Sequence, residues 1–95
     1  MFPLINKRET GIYLRKVMDE RGITVRDVQE YLGLGSVQSV YHWLNGLSMP
    51  TIDNLYALSE LFQLPIDDMV RGNRAPIEKT TKVEPLYTYE KNRAA

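Results

Sequence analysis

The sequence predicts a compact all-α domain of five short helices with a flexible C-terminal tail. Apolar residues recur at helical spacing between residues 10 and 70. Gly22, Gly33, Gly46, Pro50 and Pro65 punctuate those periodic runs. No segment alternates apolar and polar residues as a half-buried strand does.

Thr10 is the expected cap of a first helix running to about Arg21, with Leu14, Val17 and Met18 on one face at i, i+3 and i+4. Gly22 ends it. Thr24, followed three residues later by Asp27, resembles a capping box, with the acid at the positive end of the helix dipole. The second helix then covers Val25 to Leu32 and stops at Gly33. Ser36 is the next expected cap, opening a third helix from Val37 to about Asn45, which Gly46 closes. Pro50 and Thr51 begin a fourth, with Ile52, Leu55, Leu58, Leu61 and Phe62 at helical spacing. Pro65 interrupts it, and Ile66 to Val70 make a last turn or two. The expected core is Leu14, Val17, Val28, Leu32, Val40, Trp43, Leu55, Leu58, Leu61 and Phe62.

Composition removes whole classes of function. At 95 residues there is one domain, burying roughly 60–65% of its unfolded surface. The chain has no cysteine, which excludes disulfide scaffolds, thiolate catalysis and cysteine-bound zinc. His42 is the one histidine and has no second histidine or cysteine to share a metal with. No metal or other cofactor is expected. Asp67 and Asp68 are adjacent, so on a helix they point about 100° apart and do not form a general acid–base pair; no catalytic residue is expected. No apolar run reaches the length of a membrane span and no leader reads as a signal peptide, so a soluble cytoplasmic protein without a membrane partner is expected. The formal net charge is +0, which by itself gives no sign of a polyanionic partner.

The chain divides by composition into an N-terminal arm over residues 1–9, a helical domain over 10–72 and a polar tail over 73–95. The tail sequence, NRAPIEKTTKVEPLYTYEKNRAA, has no sustained period and reads as disordered in isolation. Residues 1–72 are net acidic and the tail is net basic.

The third helix carries the most information. Val40, Trp43, Leu44 and Leu47 fall at i, i+3, i+4 and i+7 and are expected to face the core. Val37, Gln38, Tyr41, His42 and Asn45 then share the exposed side. That side offers an amide, a phenol, an imidazole and a methyl-bearing Val, all neutral groups able to meet base edges. The stretches LRKVMDERGIT, VQEYLGL, SVQSVYHWLNG and MPTIDNLYALSELFQLPIDDMV together resemble the lambda-repressor-like, Cro/CI-type helix-turn-helix domain of the XRE family, over about Gly11 to Val70. The resemblance implies that the second helix crosses the DNA backbone while the third enters the major groove. Carried across position by position, it implies base contacts by Val37, Gln38 and His42, with Ser39 and Tyr41 flanking. Thr24, Asn45 and Ser48 stand where backbone-contacting residues usually lie, and Arg15, Arg26 and Ser36 join them. Operator half-sites one helical turn apart imply a homodimer.

This chain departs from the family pattern at three places. Val25 replaces a frequent Gln, Gln29 replaces a frequent Ala, and the turn Gly33-Leu34-Gly35-Ser36 is one residue longer. From Tyr31 to Ile52 there is no Lys, Arg, Asp or Glu, so cations must come from Lys7, Arg8, Arg15, Lys16, Arg26 or the tail. The reading is a sequence-specific DNA-binding transcriptional regulator, a repressor of bacterial or phage type, with no small-molecule effector indicated. The competing reading is a protein-interaction module of the same fold, an antitoxin-like partner that does not bind DNA. The charge gap favours the second; the polar face of the third helix favours the first. Nothing in the sequence supports an enzyme.

Overall fold

The computed structural model describes residues 2–75 and 77. It contains α1 (Lys7–Arg21), α2 (Val25–Leu32), α3 (Gln38–Leu44), α4 (Ile52–Phe62) and α5 (Ile66–Met69). The described residues are all-helical apart from one isolated antiparallel bridge, Ile5 with Gly72. The expected polar tail falls outside the described residues except for Asn73–Ala75 and Ile77.

Local chemistry explains where the helices begin. Asn6 caps α1 through its side-chain oxygen, which accepts from the Glu9 N–H at 2.9 Å. The expected start at Thr10 is therefore corrected: residues 7–9 form the first turn of α1. Thr10 lies inside the helix, 1% exposed. Its hydroxyl accepts from the Arg71 N–H at 2.9 Å and donates to the Arg71 carbonyl at 3.4 Å. The first turn has no apolar residue to extend the period, so a hydroxyl committed to a distant part of the chain reads locally as a cap. Thr24 and Asp27 form the expected capping box, and Thr51 caps α4 by accepting from the Asn54 N–H.

Four helix ends use one device. In each, the residue after the turn donates its N–H back to the carbonyl five positions earlier: Ile23 to Met18, Leu34 to Gln29, Leu47 to His42 and Leu64 to Ser59. The turns at Gly22, Gly33 and Gly46 have positive φ. The turn after α4 has Gln63 at φ 56, held by its amide donating to the Glu60 carbonyl at 2.6 Å.

The core comprises Leu14, Val17, Met18, Val28, Val40, Trp43, Leu44, Leu55, Leu58, Phe62 and Met69. Leu32 and Leu61, expected within it, pack at its edge. Leu47 is a correction: it is 64% exposed, because Gly46 turns the chain away before the apolar stripe of α3 completes another turn. Ile52, at the first position of α4, is likewise exposed. The two ends of the domain meet: Asn6 donates its N–H to the Arg71 carbonyl, and Asn73 to the Leu4 carbonyl. The Leu4 N–H in turn reaches the Asn73 side chain, and the Arg71 guanidinium stacks on the Tyr13 ring at 3.9 Å.

Helix α1 approaches α3 most closely at Gly11. A Cβ there would lie 2.5 Å from the Trp43 carbonyl oxygen and 2.6 Å from that of Leu44. Alanine would add about 1 kcal/mol of helix propensity. Overpacking against backbone that cannot swing aside costs about 1–3 kcal/mol or more. The clash, with two backbone carbonyls at once, should win, so Gly11→Ala is expected to lower stability in urea titration by about 1 kcal/mol, the middle of that cost less the propensity gain. A variant as stable as the parent would show that α3 can retreat from α1 without loss.

Candidate nucleic-acid interface

Val40, Trp43 and Leu44 anchor α3 in the core, which fixes its rotation and leaves the opposite side facing outward. Gln38, Ser39, Tyr41 and Asn45 are exposed there, with Val37 and His42 half-buried. Tyr41 is 44% exposed, enough to keep its ring edge in solvent. The exposed side is thus a row of neutral hydrogen-bonding groups on a helix whose other side cannot move without breaking the core.

The start of α3 differs from expectation. Its first helical residue is Gln38; Val37 occupies the cap position with no side-chain cap bond. The Ser36 hydroxyl instead accepts from the Gln38 N–H at 3.3 Å, one residue earlier than a capping serine would sit. The turn before α3 also gives Gln29 a role that sequence reasoning missed. The Leu34 N–H donates to the Gln29 carbonyl at 3.0 Å, and the Gln29 side-chain amide donates to the Leu34 carbonyl at 3.2 Å. Both polar groups of Leu34 are therefore held by one residue of α2. Gln29 thus braces the turn that leads into α3. A side-chain amide in the last turn of a helix that runs into a Gly-rich turn is the signal that could have revealed this.

The other sequence-selected residues stand around this helix. Ser36 is exposed in the turn; Asn45 is the C-cap of α3, and Ser48 is half-buried in the loop beyond, its N–H directed at the His42 carbonyl at 3.4 Å. Thr24 and Arg26 are exposed at the first turn of α2, and Arg15 is exposed on α1. Arg15, Thr24, Val25 and Leu44 border a shallow hollow of about 290 Å³. The hollow joins the α2 start, one side of α1 and Leu44 at the end of α3. Among the described residues no cluster of His, Cys, Asp and Glu could hold a metal ion.

Electrostatically the face is quiet. The Thr24 backbone N–H, and after it the Thr24 hydroxyl, hold the Asp27 carboxyl below its ordinary value of 3.8. At the other end of α2, the Tyr31 hydroxyl donates to Glu60 of α4 at 3.2 Å. Partial desolvation, then that carboxylate, raise the phenol above its usual 10.0.

A short helix, a turn and an outward-facing second helix seated on α1 define a helix-turn-helix domain. A family model described as helix-turn-helix matches residues 14–69, and the chain belongs to this family of XRE-type DNA-binding regulatory domains. Its fold is similar to that of a transcriptional regulator from Listeria innocua, with a TM-score of 0.61 and 20% identity, over 90% of this chain and 75% of that one. No curated protein matches the sequence. No helix among the described residues is long and apolar enough to cross a membrane.

Two outcomes test this geometry. Gln29→Ala leaves the Leu34 carbonyl without its side-chain partner and should cost about 1 kcal/mol in chemical denaturation, even though Ala is the better helix former; an unchanged midpoint would mean the amide bond contributes nothing. Asp27 has a folded pKa below its unfolded one, so its contribution is complete above 3.8 and is lost as pH falls through the folded value. The difference in Tm between parent and Asp27→Asn should therefore shrink in acid below that value. A difference that persists undiminished there would contradict the capping assignment.

Proposed function

We propose that this chain is a sequence-specific transcriptional repressor that places α3 in the major groove of double-stranded DNA and acts in the cytoplasm as a homodimer on paired operator half-sites. One observation carries the reading: in a helix-turn-helix domain, the outward side of α3 presents Gln38, Ser39, Tyr41 and His42, with Val37 at its start, while Val40, Trp43 and Leu44 hold the helix in register. Gln38 can offer its amide to adenine N6 and N7 together, and Val37 can meet a thymine methyl. Ser36, Asn45, Ser48 and Thr24 supply neutral donors for the phosphates, joined by Arg15 and Arg26. A self-associating surface is available in the groove of about 810 Å³ that includes Leu4, Ile5, Ile52, Ile66 and Val70. It lies beside α5, and two copies meeting there would bury their exposed apolar side chains.

A second reading, a protein-binding module of the same fold, is favoured by the absence of charge from Tyr31 to Ile52. Selection of duplexes from a random pool by the full chain separates the two. Under the DNA reading one sequence is enriched. Gln38→Ala then weakens that site by about 1–3 kcal/mol and relaxes preference at one position. Binding to random duplex is unchanged, because no charge is removed. If the parent enriches no sequence, the protein-partner reading replaces it.

A further inference from the structure

A DNA-facing helix without a cation leaves open where the salt-dependent part of the affinity originates, since that part comes from Lys and Arg on phosphates. Helix α1 answers this on its α3-facing side. Arg8 and Arg15 are seven residues apart, which returns them to nearly the same side of the helix, about 10 Å apart along its axis. Gly11 lies between them and carries the close approach to the Trp43 and Leu44 carbonyls. Toward one end, a Cβ on Gly46 would lie 2.7 Å from Arg8 Cα and 3.2 Å from Arg8 Cβ. The root of the Arg8 side chain is thus seated against the chain as it leaves α3, next to Asn45. Toward the other end, Arg15 borders the hollow it shares with Thr24, Val25 and Leu44.

Both arginines are exposed. The one ion pair among the described residues is Arg74 with Asp67, so neither has an acidic partner there. Arg8 also stands in the first turn of α1, where the helix dipole disfavours a cation; the stability of its own helix does not account for it.

We infer that Arg8 and Arg15 form a phosphate-binding pair for duplex DNA that brackets the carboxyl end of α3 and supplies the cationic attraction the recognition helix lacks. The inference rests on the DNA reading above and deepens it by naming Arg8 as a backbone contact. Arg8 adds affinity for any sequence and no preference among sequences.

The test is a salt titration of the full chain with its selected duplex and a random duplex. It compares parent, Arg8→Ala, Arg15→Ala, Arg8→Lys and, as a charge-matched control about 120° round α1 from Arg15, Arg21→Ala, an exposed residue. Each of the first two alanine variants should reduce the slope of log affinity against log salt by about 0.9, one phosphate. Both should weaken the two duplexes by the same factor. Arg8→Lys should restore the slope, and the control should leave it near the parent value. Melting temperatures identify the competing role, in which the arginines merely steady the terminal carbonyls of α3. A lowered Tm with an unchanged salt slope establishes that role and overturns the inference. Equal slopes for Arg8→Ala and Arg21→Ala overturn it as well. If the parent selects a sequence and Gln38→Ala relaxes it while the arginine variants keep the parent slope, this inference alone falls; if the parent selects nothing, the DNA reading falls with it.

Discussion

Everything that α3 can do depends on the missing side chain of Gly11. The carbonyls of Trp43 and Leu44 occupy the space a methyl group would need, so α3 rests directly on the backbone of α1. That contact sets the depth of α3. The burial of Val40, Trp43 and Leu44 sets its rotation, and the Gln29–Leu34 pair sets how the chain enters it. Each constraint acts on a different degree of freedom, and together they leave the outward side chains little choice of direction. The DNA reading proposed above calls for this, because a base-edge bond depends on geometry to a few tenths of an ångström.

The same economy shows in the connections. The four helix ends that close with one hydrogen-bond pattern place an apolar residue just beyond each turn. Ile23, Leu34 and Leu64 pack against the core from those positions, while Leu47 remains in solvent. The exception follows α3, whose exit is crowded by the Arg8 backbone at Gly46 rather than open to the core.

Much of the fold was legible in local sequence. The Thr24/Asp27 spacing, the glycines after α1 and α2, and the period of α4 each specify a structure within a few residues of themselves. The identities on the outward side of α3 were legible for the same reason: its buried residues recur at helical intervals. The misread features were those set by partners far along the chain. Thr10 looks like a cap because the residue that binds its hydroxyl, Arg71, is 61 positions away. Leu47 looks like core because periodicity carries no knowledge of a turn with positive φ at Gly46. The placement of Arg8 beside Gly46 leaves no trace in spacing at all, since it comes from packing of one helix on the exit of another.

The meeting of residues 4–6 with 71–73 has a kinetic meaning. The helices and their caps form from neighbours a few residues apart, whereas the Leu4–Asn73 bond spans 69 positions. Contacts of that separation must overcome the entropy of closing nearly the whole domain into a loop. They form after the helices have packed, and with few side chains guarding them they are the first to open. The clasp therefore acts as a latch on the folded state. Undoing it frees Thr10 and the first turn of α1, and with them Arg8, before the core around Trp43 is disturbed.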